Sequence, residues 1–416
     1  MGVFKQTLLK LSLLFLFHQY PARGMESPSY RQVGVDHRPD VTVRLRTVKN
    51  GLGLSGVDFW FTGMPRQPQN LTNSLKIAWR VDRQQRYSWQ VLDRHSGRLI
   101  TRLIASSLNL SGSSLRLDSS AHFESIPNRV SFVPRGQEDA DLIATMDLES
   151  YLLGVIPAEM PIEWPLEALK AQAIAARTYA LFKKNENRSA SFELESTVLD
   201  QVYRPEASNT GSKELRAKLM RVIEETKGMV LVGKNRAPIA AYYHADCGGK
   251  TEEASQVWGE EGKSVGTAVD QNCPFSPTGK WSFELDKKYL SMVFQKIFSH
   301  EESAQLSSVR VAARTASGRV RVVTLEWNDG RQDTLSGHQF RRAIGFSKLR
   351  STQFLINEGR VGKIQFQGRG YGHGVGMCQW GARALAQSGK SYIEILNHYY
   401  PNAKVQKFEF KSSKKL

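Results

Sequence analysis

Two glutamates, Glu159 and Glu163, lie in the stretch 156–165, IPAEMPIEWP, which also holds Pro157, Pro161 and Pro165. Proline fixes its own φ and biases the residue before it toward extended backbone, so the path around each acid is stiff. A stiffly held carboxyl suits general-acid chemistry on a glycosidic oxygen. Such an acid must keep its proton near neutral pH, although free glutamate titrates near 4.3. Disfavouring the anion by roughly 2.7 kcal/mol achieves this, and burial beside apolar groups can supply it. Ala158, Met160 and Trp164 put apolar groups close to Glu159. Glu163 stands just ahead of an expected helix, whose positive end favours the anion. Glu159 is therefore the expected acid; the plainer alternative is a pair of surface or capping carboxylates.

Two further stretches have chemical content. In 368–382, GRGYGHGVGMCQWGA, glycine alternates at 368, 370, 372, 374 and 376 with Arg369, Tyr371, His373, Val375 and Met377. In extended backbone this predicts one bare face and one face offering Arg, Tyr and His to a ligand. A glycine-rich structural strand is the alternative. No G-x-G-x-x-G register fits, so this is not a dinucleotide loop. In 242–259, YYHADCGGKTEEASQVWG, His244 precedes Cys247 by three positions. With Cys273 they make three ligands suited to zinc beside a water. The competing reading is a Cys247–Cys273 disulfide, with Cys378 left over. H-E-x-x-H and G-x-S-x-G are both missing, which argues against the common zinc-protease and hydrolase-elbow types.

The elements that position these groups follow from pattern. Residues 41–134 alternate apolar with polar in VTVRLRTV, SLKIAWRVD, YSWQVLD and RVSFVP, with turn signals at Asn50-Gly51 and Ser96-Gly97. They predict a β-rich region of unassigned role over 25–135. WPLEALKAQAIAARTYALFKK predicts a helix with Pro165 at its first position, and its many alanines allow close packing. Helices are also expected over 212–227 and in QWGARALAQSG, and SYIEILNHYYP opens with a capping box of Ser391 and Glu394.

The chain of 416 residues carries a net charge of +17. Lys5 and Lys10, the apolar run 11–17, Pro21 and Ala22-Arg23-Gly24 have the layout of a secretory signal peptide ending at residue 24. Its removal takes away Lys5, Lys10 and Arg23 and leaves +14. A basic exported protein points to cell-wall polymer, with proximity to a membrane surface, and away from nucleic acid. Periplasm or cell envelope is the expected location.

Taken together, the motifs LESYLLGVIPAEMP with WPLEALKAQAIAARTYAL, YYHADCGGKTEEASQVWG, GRGYGHGVGMCQWGA and SYIEILNHYYP resemble the stage II sporulation protein D (SpoIID)/LytB family from about residue 140 to the end. The resemblance implies an α+β domain over 136–416, with mixed, mostly antiparallel sheets and packed helices. It implies a lytic transglycosylase acting on peptidoglycan glycan strands stripped of stem peptides, with Glu159 as the catalytic residue. Arg177, Tyr243, His244, Tyr371, His373 and Gln379 would face the substrate. No cofactor is required; some members hold zinc through His and Cys, which adds weight to zinc on His244, Cys247 and Cys273. Cys378 stands where a serine is usual, and Cys247 where many members carry serine. The rival implication, from LytB-type members, is a glycan-binding modifier of a partner cell-wall amidase that does not itself cut.

Overall fold

Alternating patterns build the first part of the chain as strands: β1 (Asp40–Lys49), β2 (Leu52–Phe61), β3 (Ser74–Val81), β4 (Tyr87–Asp93), β5 (Leu99–Ile104), β6 (Leu108–Ser119), β7 (His122–Ser125), β8 (Arg129–Pro134) and β9 (Asp139–Asp147). The computed structural model describes residues 39–408, apart from 63–72, 120–121, 210, 260–262, 264, 271–275 and 278. The signal-peptide reading of 1–24 and any pairing of Cys273 lie outside the described residues. In the sheet β9 lies between β1 and β8, antiparallel to both, so that Ala144 faces Val43 on one side and Val130 on the other. The sheet therefore passes residue 135 without interruption. Its order is β10-β1-β9-β8-β6-β2-β3-β4-β5, with β7 on β6 and the short β10 (Leu194–Glu195) parallel to β1. Leu54, Ile77, Trp79, Trp89 and Phe132 fill its core.

β9 runs straight into α1 (Leu148–Glu159), capped by the Asp147 side chain on the Ser150 amide at 3.1 Å. Leu148, Tyr151, Leu152, Val155 and Ile156 recur at helical steps and are buried. This corrects the expected loop around Glu159: the acid is the last residue of a helix, with Pro157 inside its final turn. The prolines act by ending the helix there. Pro161 disfavours helical backbone at Met160, which is extended at φ −142, ψ 132.

Helix α2 (Leu166–Glu186) follows with Pro165 as its N-cap, one position earlier than expected. It is buried nearly all round between 168 and 181, and alanines at 168, 171, 173, 175, 176 and 180 let neighbours approach it closely. Next come α3 (Lys213–Glu225), capped by Ser212, then β11 (Met229–Val232), β12 (Tyr243–His244) and α4 (Ala254–Trp258).

A module with its own core interrupts this domain. It comprises β13 (Lys280–Asp286), α5 (Lys287–Phe298), β14 (Leu306–Arg314), β15 (Val320–Trp327), β16 (Gln332–Ser336), α6 (Gly337–Ile344), β17 (Phe354–Glu358) and β18 (Lys363–Arg369). These form two three-stranded sheets, β13-β18-β17 and β14-β15-β16. Trp327, Phe294, Phe340 and Phe366 pack between them. The chain then returns through β19 (Met377–Cys378), α7 (Gln379–Gln387), α8 (Tyr392–Tyr399) and β20 (Lys404–Lys407). β19 pairs in parallel with β12, and β20 antiparallel with β11. The expected capping box of Ser391 and Glu394 opens α8. The fold is α+β, as expected. No helix among the described residues is long and apolar enough to cross a membrane.

Candidate active site

The end of α1 delivers Glu159 into a half-buried position. Its Oε1 accepts the Val202 amide at 2.6 Å, and the Tyr243 hydroxyl hydrogen-bonds to the same carboxyl. Tyr243 is oriented by its own neighbours. Gln201 Nε2 donates to the Tyr243 oxygen at 2.9 Å and to the Ala176 carbonyl at 3.3 Å, while Tyr151 donates to Gln201 Oε1 at 3.2 Å. With its oxygen already accepting, Tyr243 turns its proton toward Glu159. Burial pushes the Glu159 carboxyl up to about 7, outweighing the bonds from Val202 and Tyr243 that favour the anion. Glu159 also ends α1, where the helix dipole opposes negative charge.

β12 serves two places, because successive side chains leave a strand on opposite faces. Tyr243 meets Glu159; His244 turns the other way and is buried. Its Nδ1 lies 3.0 Å from the Val375 carbonyl. A carbonyl can only accept, so Nδ1 carries the proton and Nε2 the lone pair. His373 stacks beside it with ring centres 5.5 Å apart, and accepts the Val375 amide on its own Nδ1 at 3.0 Å. Burial, then the neighbouring His244 and Arg341, hold His373 well below the usual imidazole range, so it is neutral.

The glycine motif is not the extended strand its alternation predicts. Only Gly368 and Arg369 belong to β18; Gly370, Gly372, Gly374 and Gly376 all have positive φ, from +71 to +114. Side chains rarely adopt that backbone. Close approach is the second reason: a Cβ at 372 would overlap His244, at 374 the Arg319 guanidinium, and at 376 the Tyr242 carbonyl. The loop thus wraps segment 242–247 instead of presenting one flat face. Tyr371 ends up exposed, with Arg350 over its ring at 5.9 Å. Gln379 is buried, its Nε2 3.4 Å from Gln172 Oε1.

Arg177 is a correction to the expected substrate face. It is wholly buried, and its Nε and Nη2 reach Glu149 at 2.9 and 2.7 Å, with Nη1 on the Met229 carbonyl at 3.2 Å. It ties α1 to α2 and β11. Glu163 is exposed, outside the site. Sequence reading missed Gln201, Tyr151 and Arg319. Gln201 and Val202 sit in an irregular segment with no motif, so only tertiary contact reveals them. Arg319 comes from the inserted module, is buried, and donates to the Cys247 carbonyl at 2.6 Å.

The expected metal set changes membership. Cys273 lies outside the described residues, while Cys378 joins His244 and Cys247, with ligand atoms of all three buried and within 4.8 Å of one another. The donor chemistry fits zinc. The His244 tautomer presents Nε2, and the sulfurs receive amides from Gly249 at 3.3 Å, from Cys247 at 3.2 Å and from Gly381 at 3.4 Å, contacts that favour thiolate. The Cys247 thiol also donates to Asp270 Oδ2 at 3.4 Å, which opposes thiolate until a cation binds.

Comparison with known proteins agrees with this geometry. A family model described as stage II sporulation protein matches residues 136–232, and a domain of unknown function matches 265–376. A protein of Brachyspira hyodysenteriae without assigned function is 33% identical over 62% of this chain and 66% of its own length. An amidase enhancer of Bacillus subtilis is 32% identical over 60% of the chain, which spans only 39% of that relative. A stage II sporulation protein D of Bacillus amyloliquefaciens is 31% identical over 62% of the chain and 74% of its own length.

Proposed function

The chain belongs to the stage II sporulation protein D family, and on that premise we propose that it is a lytic transglycosylase of the cell wall, acting outside the cytosol on peptide-stripped glycan strands. The observation that supports this reading most is the half-buried Glu159 carboxyl, held protonated up to about pH 7 and fixed by Val202 and Tyr243. Hydrolytic glycosidases usually need a second carboxylate. The acid closest in sequence to the Glu159 clamp, Asp200, is already engaged by the Tyr179 hydroxyl at 2.8 Å, the Glu195 amide at 2.9 Å and Lys183 at 3.0 Å. One acid suffices when the nucleophile comes from the substrate. Glu159 gives its proton to the oxygen linking MurNAc to GlcNAc, and that bond breaks. The carboxylate then takes the proton of the MurNAc C6 hydroxyl as its oxygen bonds to the anomeric carbon, closing a 1,6-anhydro ring. The hydroxyl is intramolecular, so its effective concentration is high.

Zinc on His244, Cys247 and Cys378 would supply a structural tie between β12 and β19, on the face of β12 opposite Tyr243. Elemental analysis should then find about one zinc per chain, lost in His244→Ala. A metal-free wild-type chain overturns that assignment and leaves Glu159 untouched.

The test of the activity is mass spectrometry of peptide-free strands incubated with the protein. Anhydro ends, absent with Glu159→Gln, support it; ordinary reducing ends overturn it in favour of hydrolysis. The relative named amidase enhancer favours one second reading, a glycan binder that raises the activity of an amidase. It predicts intact strands and bound protein.

A further inference from the structure

On α7 the fold leaves an arginine without a charge partner. Arg383, on α7, sets its guanidinium 5.3 Å from the ring centre of Trp164 and 4.8 Å from that of Trp380. The two indoles lie 4.8 Å apart, inclined at 59°. The Arg383 Nε is enclosed and has no hydrogen-bond partner. Among the described residues no carboxylate or carbonyl reaches the guanidinium. Arg383 is half-buried: the two indoles hold its guanidinium by cation–π contact, and no acid neutralises it.

Two short stretches of chain lead from the acid to this group. Trp164 stands at the far end of the loop that begins at Glu159, and Lys218 pins that loop through the Glu163 and Trp164 carbonyls at 3.3 and 2.6 Å. Five residues of chain reach at most roughly 18 Å when fully extended, and the turn closed by the Trp164 amide on Pro161 shortens the path. On the other side, β19 pairs Met377 with Tyr243, the residue bonded to Glu159, and α7 with Trp380 and Arg383 starts directly after β19.

Resting on the proposed activity, we infer that Arg383, seated on Trp164 and Trp380, recognises the free lactyl carboxylate of peptide-stripped muramic acid. The lactyl ether carries a methyl and a carboxylate on one carbon, matching an indole wall and an unpaired guanidinium. When a stem peptide is attached, that carboxyl is an amide: its charge is gone and a chain extends from it. A guanidinium that waits for an anion then gains nothing, so the same contact selects stripped strands over substituted ones.

The test measures binding in the Glu159→Gln background, where strands are not cut. Two probes are used: peptide-free strands, and the same strands with their lactyl carboxyls converted to methylamides. The parent should bind the acid form about tenfold tighter, the factor a charge-assisted hydrogen bond confers. Adding Arg383→Met, which keeps an apolar stem on the indoles, should bring both probes to the methylamide level with melting unchanged. Adding Arg102→Met instead, which removes an exposed cation of β5, should leave the ratio intact. A ratio that survives Arg383→Met, or that falls equally with Arg102→Met, overturns the inference. Equal binding of both probes by the parent overturns it while the glycan reading stands; binding of neither overturns both.

Discussion

At the first turn of α1, Glu149 takes two hydrogen bonds from the buried Arg177; at its last turn, Glu159 takes one from the Val202 amide and one from Tyr243 and meets no cation among the described residues. Both glutamates are half-buried. The Arg177 guanidinium holds Glu149 through two hydrogen bonds and makes it a tie between helices. With no guanidinium nearby and the negative end of the dipole behind it, Glu159 keeps its proton and can give it away. Burial pushes the Glu159 carboxyl up, and no cation among the described residues stands there to oppose that rise, whereas Glu149 is tied to a guanidinium.

Glu159→Gln should break the chemical end. Cleavage of peptide-free strands should fall by a factor of about 10² to 10⁴, the range general acids contribute, with strand binding retained. Turnover within tenfold of wild type, measured by release of anhydro ends, would reassign the acid. Arg177→Met attacks the structural end by leaving Glu149 buried and unpaired. Losing one partner of such a pair costs about 3–5 kcal/mol, readable from the denaturation midpoint.

The third prediction uses pH. The folded-state value for Glu159, about 7, lies above the usual 4.5, so the folded chain binds the proton more tightly. Stability from this group is full below about 4.5 and lost as pH rises toward 7, a difference of roughly 3 kcal/mol. Glu159→Gln, which cannot ionise, should therefore be more stable than wild type at pH 8 and match it near pH 4. Equal stability at both pH values would mean that the carboxyl is not disfavoured as an anion. The smallest effect is expected from Tyr243→Phe. Removing a donor that favours the anion should move the alkaline limb of the activity profile upward by about one pH unit. A downward move would show that Tyr243 bonds the acid form instead.

Part of this region was legible from sequence. Apolar neighbours and the helix dipole together favoured Glu159 over Glu163, and the fold half-buries the first and exposes the second; α2, the capping box of α8 and strands such as β4 followed from period and punctuation. The helix around Glu159 was obscured because Pro157 and Pro161 suggest a loop, although Leu148, Tyr151, Leu152, Val155 and Ile156 already carry the helical step. The glycine motif misled for a related reason. Alternation suggests a strand, yet glycine at every second position equally permits a chain of left-handed turns, and only the neighbours Tyr242, His244 and Arg319 decide between them. Arg177 misled in the opposite sense, since a lone arginine on an alanine-rich helix gives no sign of the acid that waits for it on α1. Gln201 and Arg319 lie far along the chain from what they touch, and local pattern holds no record of that.

The shared strand β9 has a consequence for how this protein could be inherited or divided. The family match begins at residue 136, three positions before β9, yet both hydrogen-bonding partners of β9 come from residues before that point. A descendant or fragment starting there would keep every residue of the acid site. It would also bear two naked strand edges directly upstream of α1, inviting pairing with other chains. The segment that evolution recognises and the segment that can stand alone are thus different lengths. Any exchange of front ends within the family has to bring its own β1 and β8.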